Sequence, residues 1–208
     1  MKHEALPPAV ILAGGLSRRM GADKAELILG TTPLALRVAE RLQPQASAVY
    51  LNASEGHPLA AHLPLILDTR PDRPGPLAGV LAGMKRFTEL PNGPTHLLTT
   101  PCDTPFLPSD LVMRLAEVAR SEAIVLAASN GRTHPITALW PVALAEDLEH
   151  WLDDPDHRRV FDFVARHPNE TVDFAPFAGP FGPVDPFFNI NTPDDLAVAE
   201  AIIEQGAE

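Results

Sequence analysis

Arg18, Arg19 and Lys24 place three cations within seven positions of a chain whose formal net charge is −11. Two glycines, Gly14 and Gly15, come just before them. A residue without a Cβ lets its backbone N–H approach a ligand closely. Successive N–H groups in a turn form an anion-binding nest. Bare N–H groups beside fixed positive charge suit a polyphosphate. The spacing matches neither G-x-x-x-x-G-K-[ST] nor G-x-G-x-x-G, so the stretch is not a Walker loop and not a dinucleotide fingerprint. A second chemical signal is Asp103, in Thr99-Thr100-Pro101-Cys102-Asp103-Thr104-Pro105. Taken alone, an aspartate there reads as a turn or capping residue. Held in a proline-stiffened loop opposite a phosphate site, it is a natural Mg2+ ligand, because magnesium takes few protein oxygens and completes its shell with water and phosphate.

These residues need elements to hold them. Ala9 to Leu12 reads as a buried strand that breaks into the glycines. Ala48 to Leu51, Pro64 to Leu67 and His96 to Thr99 read as the second, third and fourth strands, and Ile124 to Ala128 and Pro135 to Trp140 as later ones. Thr32 is expected to cap a helix with Pro33 at its first position and Leu34, Val38 and Leu42 on one face. Further helices are expected from about Pro76 to Phe87, and from Pro108 to Arg120 with Leu111, Leu115 and Val118 inward. Val142 to Leu152 and His157 to Arg166 follow. Thr192-Pro193 starts the last helix, which buries Leu196, Ala199 and Ile203. Phe174 to Phe188 reads either as a flap over a site or as an irregular crossing. The alternation implies a single α/β domain over residues 1–208, with a mostly parallel sheet and helices on both faces. In such sheets ligands bind beyond the carboxyl ends of the strands. Gly14, Asn52, Asp68 and Asp103 follow the first four strands in that order.

The bulk numbers bound the function. With 208 residues and 45% hydrophobic content the chain is an ordinary globular domain. Its acidic balance excludes a general nucleic-acid or anionic-membrane binder. One cysteine, Cys102, allows no disulfide framework and no thiolate metal site. It is expected to be a small buried residue without a nucleophilic partner. No apolar run is long enough for a membrane span. Met1 to Pro8 carries charge and prolines in place of the apolar core of a signal peptide, so a soluble cytoplasmic protein is expected. The 23 prolines predict long ordered loops. The eight histidines show no metal-ligand spacing, and His134 is the one with a place in a site.

The stretch Leu12-Ala13-Gly14-Gly15-Leu16-Ser17-Arg18-Arg19-Met20-Gly21-Ala22-Asp23-Lys24 resembles, throughout, the signature loop L-A-G-G-x-S-x-R-M-G-x-D-K of the molybdenum cofactor guanylyltransferases, the MobA-type nucleotidyltransferases. The resemblance continues to about Ala199. It implies a Rossmann-like nucleotidyltransferase fold that transfers GMP from GTP to molybdenum-loaded molybdopterin with Mg2+. It implies a nucleotide site of Leu12, Ala13, Gly14, Gly15, Lys24, Asn52, Asp68, Gly79 and Asp103. Asp103 is then the metal ligand, and Lys24, Asp103 and Arg19 the catalytic groups. Arg19 sits at the family's arginine and Arg18 at a variable position. Lys24 is either a solvated lysine or a point charge stabilising the α-phosphorus. Asp68 is either a turn aspartate or an acceptor for guanine's N1–H and exocyclic amine, a donor pair that cytosine lacks. It leads into Pro74-Gly75-Pro76-Leu77-Ala78-Gly79, whose backbone is a candidate lining for the base pocket.

Arg132-Thr133-His134-Pro135, His157-Arg158-Arg159-Val160 and Phe188-Asn189-Ile190-Asn191-Thr192-Pro193 resemble further family segments. They imply a pterin-binding set of Arg132, His134, Arg159, Asn189 and Asn191, with Phe187 or Phe188 stacking on the ring. The bland alternatives are a helix cap at Asn191-Thr192 and surface arginines at Arg158 and Arg159. The nucleotide half would run over about 8–130 and the acceptor half over about 131–208. Molybdenum-insertion proteins and target molybdoenzymes or their chaperones are the further partners implied. A cytidylyltransferase of the same superfamily and a sugar-phosphate nucleotidyltransferase are the nearest alternatives; Gly15 and Asp23-Lys24 favour guanylyl transfer. A non-catalytic nucleotide-binding regulator would be expected to lack Asp103 or Lys24, and both are present.

Overall fold

A computed structural model describes residues 6–13, 23–70, 75–88 and 90–206. The elements in chain order begin with β1 (Ala9–Leu12), β2 (Ile28–Leu29), β3 (Thr32–Pro33), α1 (Leu34–Leu42), β4 (Val49–Asn52), β5 (Leu65–Ile66) and α2 (Pro76–Thr88). They continue with β6 (His96–Pro101), α3 (Leu111–Val118), β7 (Ile124–Ser129), β8 (Arg132–Pro141), α4 (Ala145–Trp151) and α5 (Val160–Val164). The last are β9 (Asn169–Asp173), β10 (Phe177–Gly179), β11 (Gly182–Val184) and α6 (Pro193–Glu204).

Seven strands form the main sheet in the order β5-β4-β1-β6-β8-β7-β9. Only the pairings of β8 with β6 and with β7 are antiparallel. The other four pairings are parallel, so six strands point one way and β8 runs against them. This is the α/β domain with a mostly parallel sheet that the alternation predicts. Because successive side chains of a strand point to opposite faces, β1 feeds two cores. Ala9 and Ile11 join Val38, Leu42, Leu111 and Leu115 under α1 and α3. Val10 and Leu12 join Leu77, Leu81, Leu148 and Phe163 under α2, α4 and α5. A buried parallel strand is apolar on both sides, which is why Ala-Val-Ile-Leu shows no alternation.

Helix α2 lies close to the sheet because of two glycines one turn apart. A Cβ on Gly83 would stand 2.6 Å from Leu97 Cδ2, and one on Gly79 would stand 2.3 Å from Asn52 Oδ1. Helix α6 starts as read: Thr192 caps it in a reciprocal box with Asp195, and Pro193 follows. Ala199 is buried, while Leu196 and Ile203 are partly buried against Leu29, Phe106 and Ile190.

Several expectations need correction. Thr32 does not cap α1. It pairs with Leu29 in the β2–β3 hairpin, and the helix starts at Leu34 behind an uncapped Pro33. Val118 ends α3 exposed, not inward. The segment from Val142 begins as a 3-10 turn (Val142–Leu144) before α4, and α5 is shorter than His157 to Arg166. The region from Phe174 to Phe188 contains the β10–β11 hairpin. Strand β9 pairs with β7 at the sheet edge; its Asn-Glu-Thr-Val-Asp sequence carries no apolar run to announce it.

Candidate functional site

The carboxyl ends of β1, β4 and β6 meet at one edge. The Ala13 N–H donates to Asn52 O (3.0 Å), and the Cys102 N–H to Leu12 O (3.2 Å). Asp103 follows the end of β6 by two residues and is buried. The Ile190 N–H donates to the Asp103 carbonyl at 3.0 Å, which draws the segment before α6 across the sheet. Lys24 starts a 3-10 turn that Asp23 caps by accepting from the Ala25 N–H (2.9 Å). Its ammonium donates to Asp103 Oδ2 at 2.9 Å and to Asn191 Oδ1 at 2.6 Å. Three segments far apart in sequence thus converge on one charge. Asn191 is held in turn by its own backbone, whose N–H donates to Asp195 Oδ2 (2.9 Å). That bond, with help from Thr192 and from the charge on Lys24, keeps the Asp195 carboxyl below the usual range.

What this trio leaves unused is informative. An ammonium has three N–H donors. Two of those on Lys24 are engaged and the third has no partner among the described residues. Asp103 Oδ1 is buried and likewise unpartnered. A bare, buried carboxylate oxygen costs free energy unless something else satisfies it. One open carboxylate oxygen beside one open N–H fits a divalent cation together with a phosphate, the combination magnesium favours. A second set of metal-ligating side chains, Asp23, Glu26 and His57, does not fit. His57 Nδ1 accepts from the Leu59 N–H, so its proton sits on Nε2 and is donated to Asp23 Oδ2 at 3.1 Å. A metal-bound histidine instead donates with its other ring nitrogen.

Asn52 is buried, and its amide donates to Ile66 O (3.0 Å) and to Asp68 Oδ1 (2.8 Å). Asn52 therefore orients Asp68, and Gly79 leaves room for it to do so. Gly14, Gly15, Arg18 and Arg19 lie outside the described residues. Cys102 is buried, and burial, with the neighbouring charges of Asp103 and Asp23, pushes its thiol far above the usual range, so it is no nucleophile.

Beside the trio lies a cavity of about 440 Å³ whose lining includes Pro101, Thr104, Arg132, His134, Phe161 and Asn189. A bulge builds one wall. Between Leu126 and Ala127 of β7 the partners on β8 jump from Ala138 to His134, so Pro135, Ile136 and Thr137 arch away from the ladder. Thr99 Oγ1 pins the arch by donating to Ile136 O (2.6 Å) while accepting from Trp140 Nε1 (2.8 Å). Arg132, His134 and Asn189 thus meet, as the resemblance implies. Arg159 is exposed at the start of α5, two residues before Phe161, and is not in the lining. Asn191 turns away from this lining to Lys24. Phe187 does not face a ligand: it is buried edge-on to Phe174 and against His134. Phe188 packs against Phe106. Ser129, which bonds to both Asp185 and His134, and Asp185 itself carry no sequence motif. Asn130-Gly131, both at positive φ between two strands, is a hairpin signal that marks where Ser129 sits.

Residues 9–171 match the family model for the MobA-like NTP transferase domain. The chain belongs to this family. A molybdenum cofactor guanylyltransferase of Rhizobium meliloti is 50% identical over 96% of this chain and 93% of its own. One of Sinorhizobium fredii is 48% identical over 93% and 90%. The fold is also that of the molybdopterin-guanine dinucleotide biosynthesis protein A of Archaeoglobus fulgidus, with a TM-score of 0.72 at 22% identity over 95% of this chain and 99% of that one. Among the described residues no helix is long and apolar enough to cross a membrane.

Proposed function

We propose that this chain transfers GMP from GTP to molybdenum-loaded molybdopterin, giving molybdopterin guanine dinucleotide and pyrophosphate. The observation that carries the reading is the Lys24–Asp103 pair with its open N–H and open oxygen, in a chain half-identical to a molybdenum cofactor guanylyltransferase. A phosphate oxygen of the acceptor attacks the α-phosphorus of GTP in line. A new P–O bond forms, and pyrophosphate leaves with the electron pair of the bond it breaks. The attacking group is the substrate's own phosphate, so no serine or cysteine nucleophile is required. Mg2+ on Asp103 would neutralise phosphate charge as a Lewis acid. Lys24 stabilises the charge that develops at the α-phosphoryl oxygens, and Arg19 of the glycine loop adds a second cation. Asn191 and Asp103 keep Lys24 aimed before substrate arrives. Asp68, held by Asn52, accepts from the guanine edge. Gly79 and the backbone of Leu12 to Gly15 line the nucleotide.

The cavity takes the acceptor, with Arg132, His134 and Asn189 as its contacts, and Arg159, exposed outside the lining, is a further cation for it. The acceptor half then lies within about 131–208, except that Asn191 serves the nucleotide end. The site works in the cytoplasm, where molybdenum-insertion proteins supply the acceptor and target molybdoenzymes or their chaperones take the product. The test is to incubate the protein with Mg2+, molybdenum-loaded molybdopterin and GTP, CTP or ATP in turn, and assay for dinucleotide. Guanine dinucleotide from GTP alone is expected. Faster product from CTP would move the chain to the cytidylyl branch, and no dinucleotide from any nucleotide would overturn the reading.

A further inference from the structure

Ser129, Asp185 and His134 form a polar chain behind the cavity wall. Ser129 Oγ lies 2.6 Å from Asp185 Oδ1 and 2.8 Å from His134 Nε2. Asp185 Oδ1 also accepts from the Phe187 N–H at 2.8 Å. Asp185 Oδ1 therefore accepts from both groups. The single hydroxyl proton of Ser129 is therefore spent on Asp185. Ser129 Oγ must then accept from His134, which puts the imidazole proton on Nε2 and leaves Nδ1 with a lone pair.

Nδ1 has no hydrogen-bond partner among the described residues, and His134 lines the cavity. The ring cannot readily turn. Phe187 lies against it at 4.6 Å between centroids, and the bond between Nε2 and Ser129 holds its other edge. Burial holds the proton affinity of His134 down, with Arg132 adding to the effect and Asp185 opposing it, so the neutral ring persists near pH 7. Asp185 sits just past the β10–β11 hairpin, so the same bond that sets the tautomer ties that hairpin to the β7–β8 turn.

We infer that Ser129 and Asp185 are positioning residues that lock His134 as its Nε2–H tautomer, so that Nδ1 accepts a hydrogen bond from an N–H or O–H donor of the molecule in the cavity. The inference rests on the reading that the cavity holds the acceptor substrate. Arg132 and His134 then divide the labour. Arg132 can only donate, and so seeks phosphate or carbonyl oxygen. His134 can only accept there, and so selects a donor such as the amino or amide N–H of a pterin edge. A histidine with the opposite tautomer would turn that contact into a clash of two donors.

Two experiments on the full chain test this. In the 15N-histidine spectrum, the wild type is expected to show a slowly exchanging Nε2–H for His134 and an unprotonated Nδ1. Ser129→Ala should lose the slow exchange. A proton on Nδ1 in the wild type overturns the lock, whatever the cavity binds. In anaerobic binding assays with molybdopterin, His134→Asn places an amide oxygen near the Nδ1 position, whereas His134→Gln places its amide near Nε2. The Asn variant should keep affinity within about threefold, and the Gln variant and Ser129→Ala should lose about tenfold, the size of one lost hydrogen bond. GTP affinity should hold in all three. Equal losses in the Asn and Gln variants overturn the role of Nδ1. If Arg132→Ala and Asn189→Ala also leave molybdopterin affinity unchanged, the assignment of the cavity falls instead, while the spectrum still reports on the lock.

Discussion

The two ends of the site are built on opposite principles. The end proposed for the nucleotide is ionic: the Lys24 ammonium stands within 3 Å of Asp103 Oδ2 and of Asn191 Oδ1, and Lys24 and Asp103 each hold back one valence. The cavity end is neutral where it matters: a histidine kept uncharged, a bulged strand and an aromatic backing. The difference follows from the work proposed for each. Charge has to be stabilised where phosphorus changes bonds, and fixed charges in a water-poor site do that best. Recognition of a ring needs donors and acceptors in register, which charge would blur. The ends join at the turn after β6 and at Asn189–Asn191, so each segment serves both.

The sharpest way to break this contrast is at Asp103. Asp103→Ala should fold and lose at least about 10²–10³ in transfer rate, the loss seen for one electrostatic group at a reacting centre. Circular dichroism alongside a dinucleotide assay checks it; brisk Mg2+-dependent turnover in the folded variant removes the metal role. At the neutral end, Asn189→Ala should weaken molybdopterin about tenfold with GTP affinity near wild type. Isothermal titration separates the two, and parallel losses for both ligands would erase the boundary between them. Saturation with GTP at about 100 times its Kd should add roughly 2.7 kcal/mol. That is a melting shift of about 5–10 °C for a chain of this length. CTP should shift it less if Asp68 reads guanine.

The smallest effect concerns pH. The folded state holds the proton affinity of His134 below its ordinary value of 6.5, chiefly by burial. Below pH 6.5 the unfolded chain takes up a proton that the native one resists, so stability falls as pH drops from 6.5 toward the lowered native value. Melting curves at pH 8 and 5.5 should show a smaller acid loss in His134→Gln than in the wild type. An equal loss in the two proteins contradicts the environment assigned to this ring.

Much of this was legible in the chain itself. β1, β4, β6 and α2 announce themselves because buried parallel strands and an apolar helix face leave dense periodic patterns. Asp103 and Lys24 stand out because charge sits just past such patterns. The pairing of Lys24 with Asn191, 167 positions apart, was not legible, because no local rule links a loop lysine to a residue before the last helix. β9 is polar and owes its place to pairing with β7. Thr32-Pro33 carries the signature of a helix start, but Thr32 is taken up by the hairpin with Leu29. Asp185 has no motif at all; its role exists only through Ser129 and His134.

The central claim is that the two ends hold both substrates at once and that phosphate attacks phosphorus directly. Initial rates measured against GTP at several fixed concentrations of molybdenum-loaded molybdopterin test it most directly. Intersecting double-reciprocal lines are the expected result, since a ternary complex must form before any bond changes. Parallel lines, with nucleotide retained on the protein after pyrophosphate has left, would reveal a covalent intermediate and contradict the account.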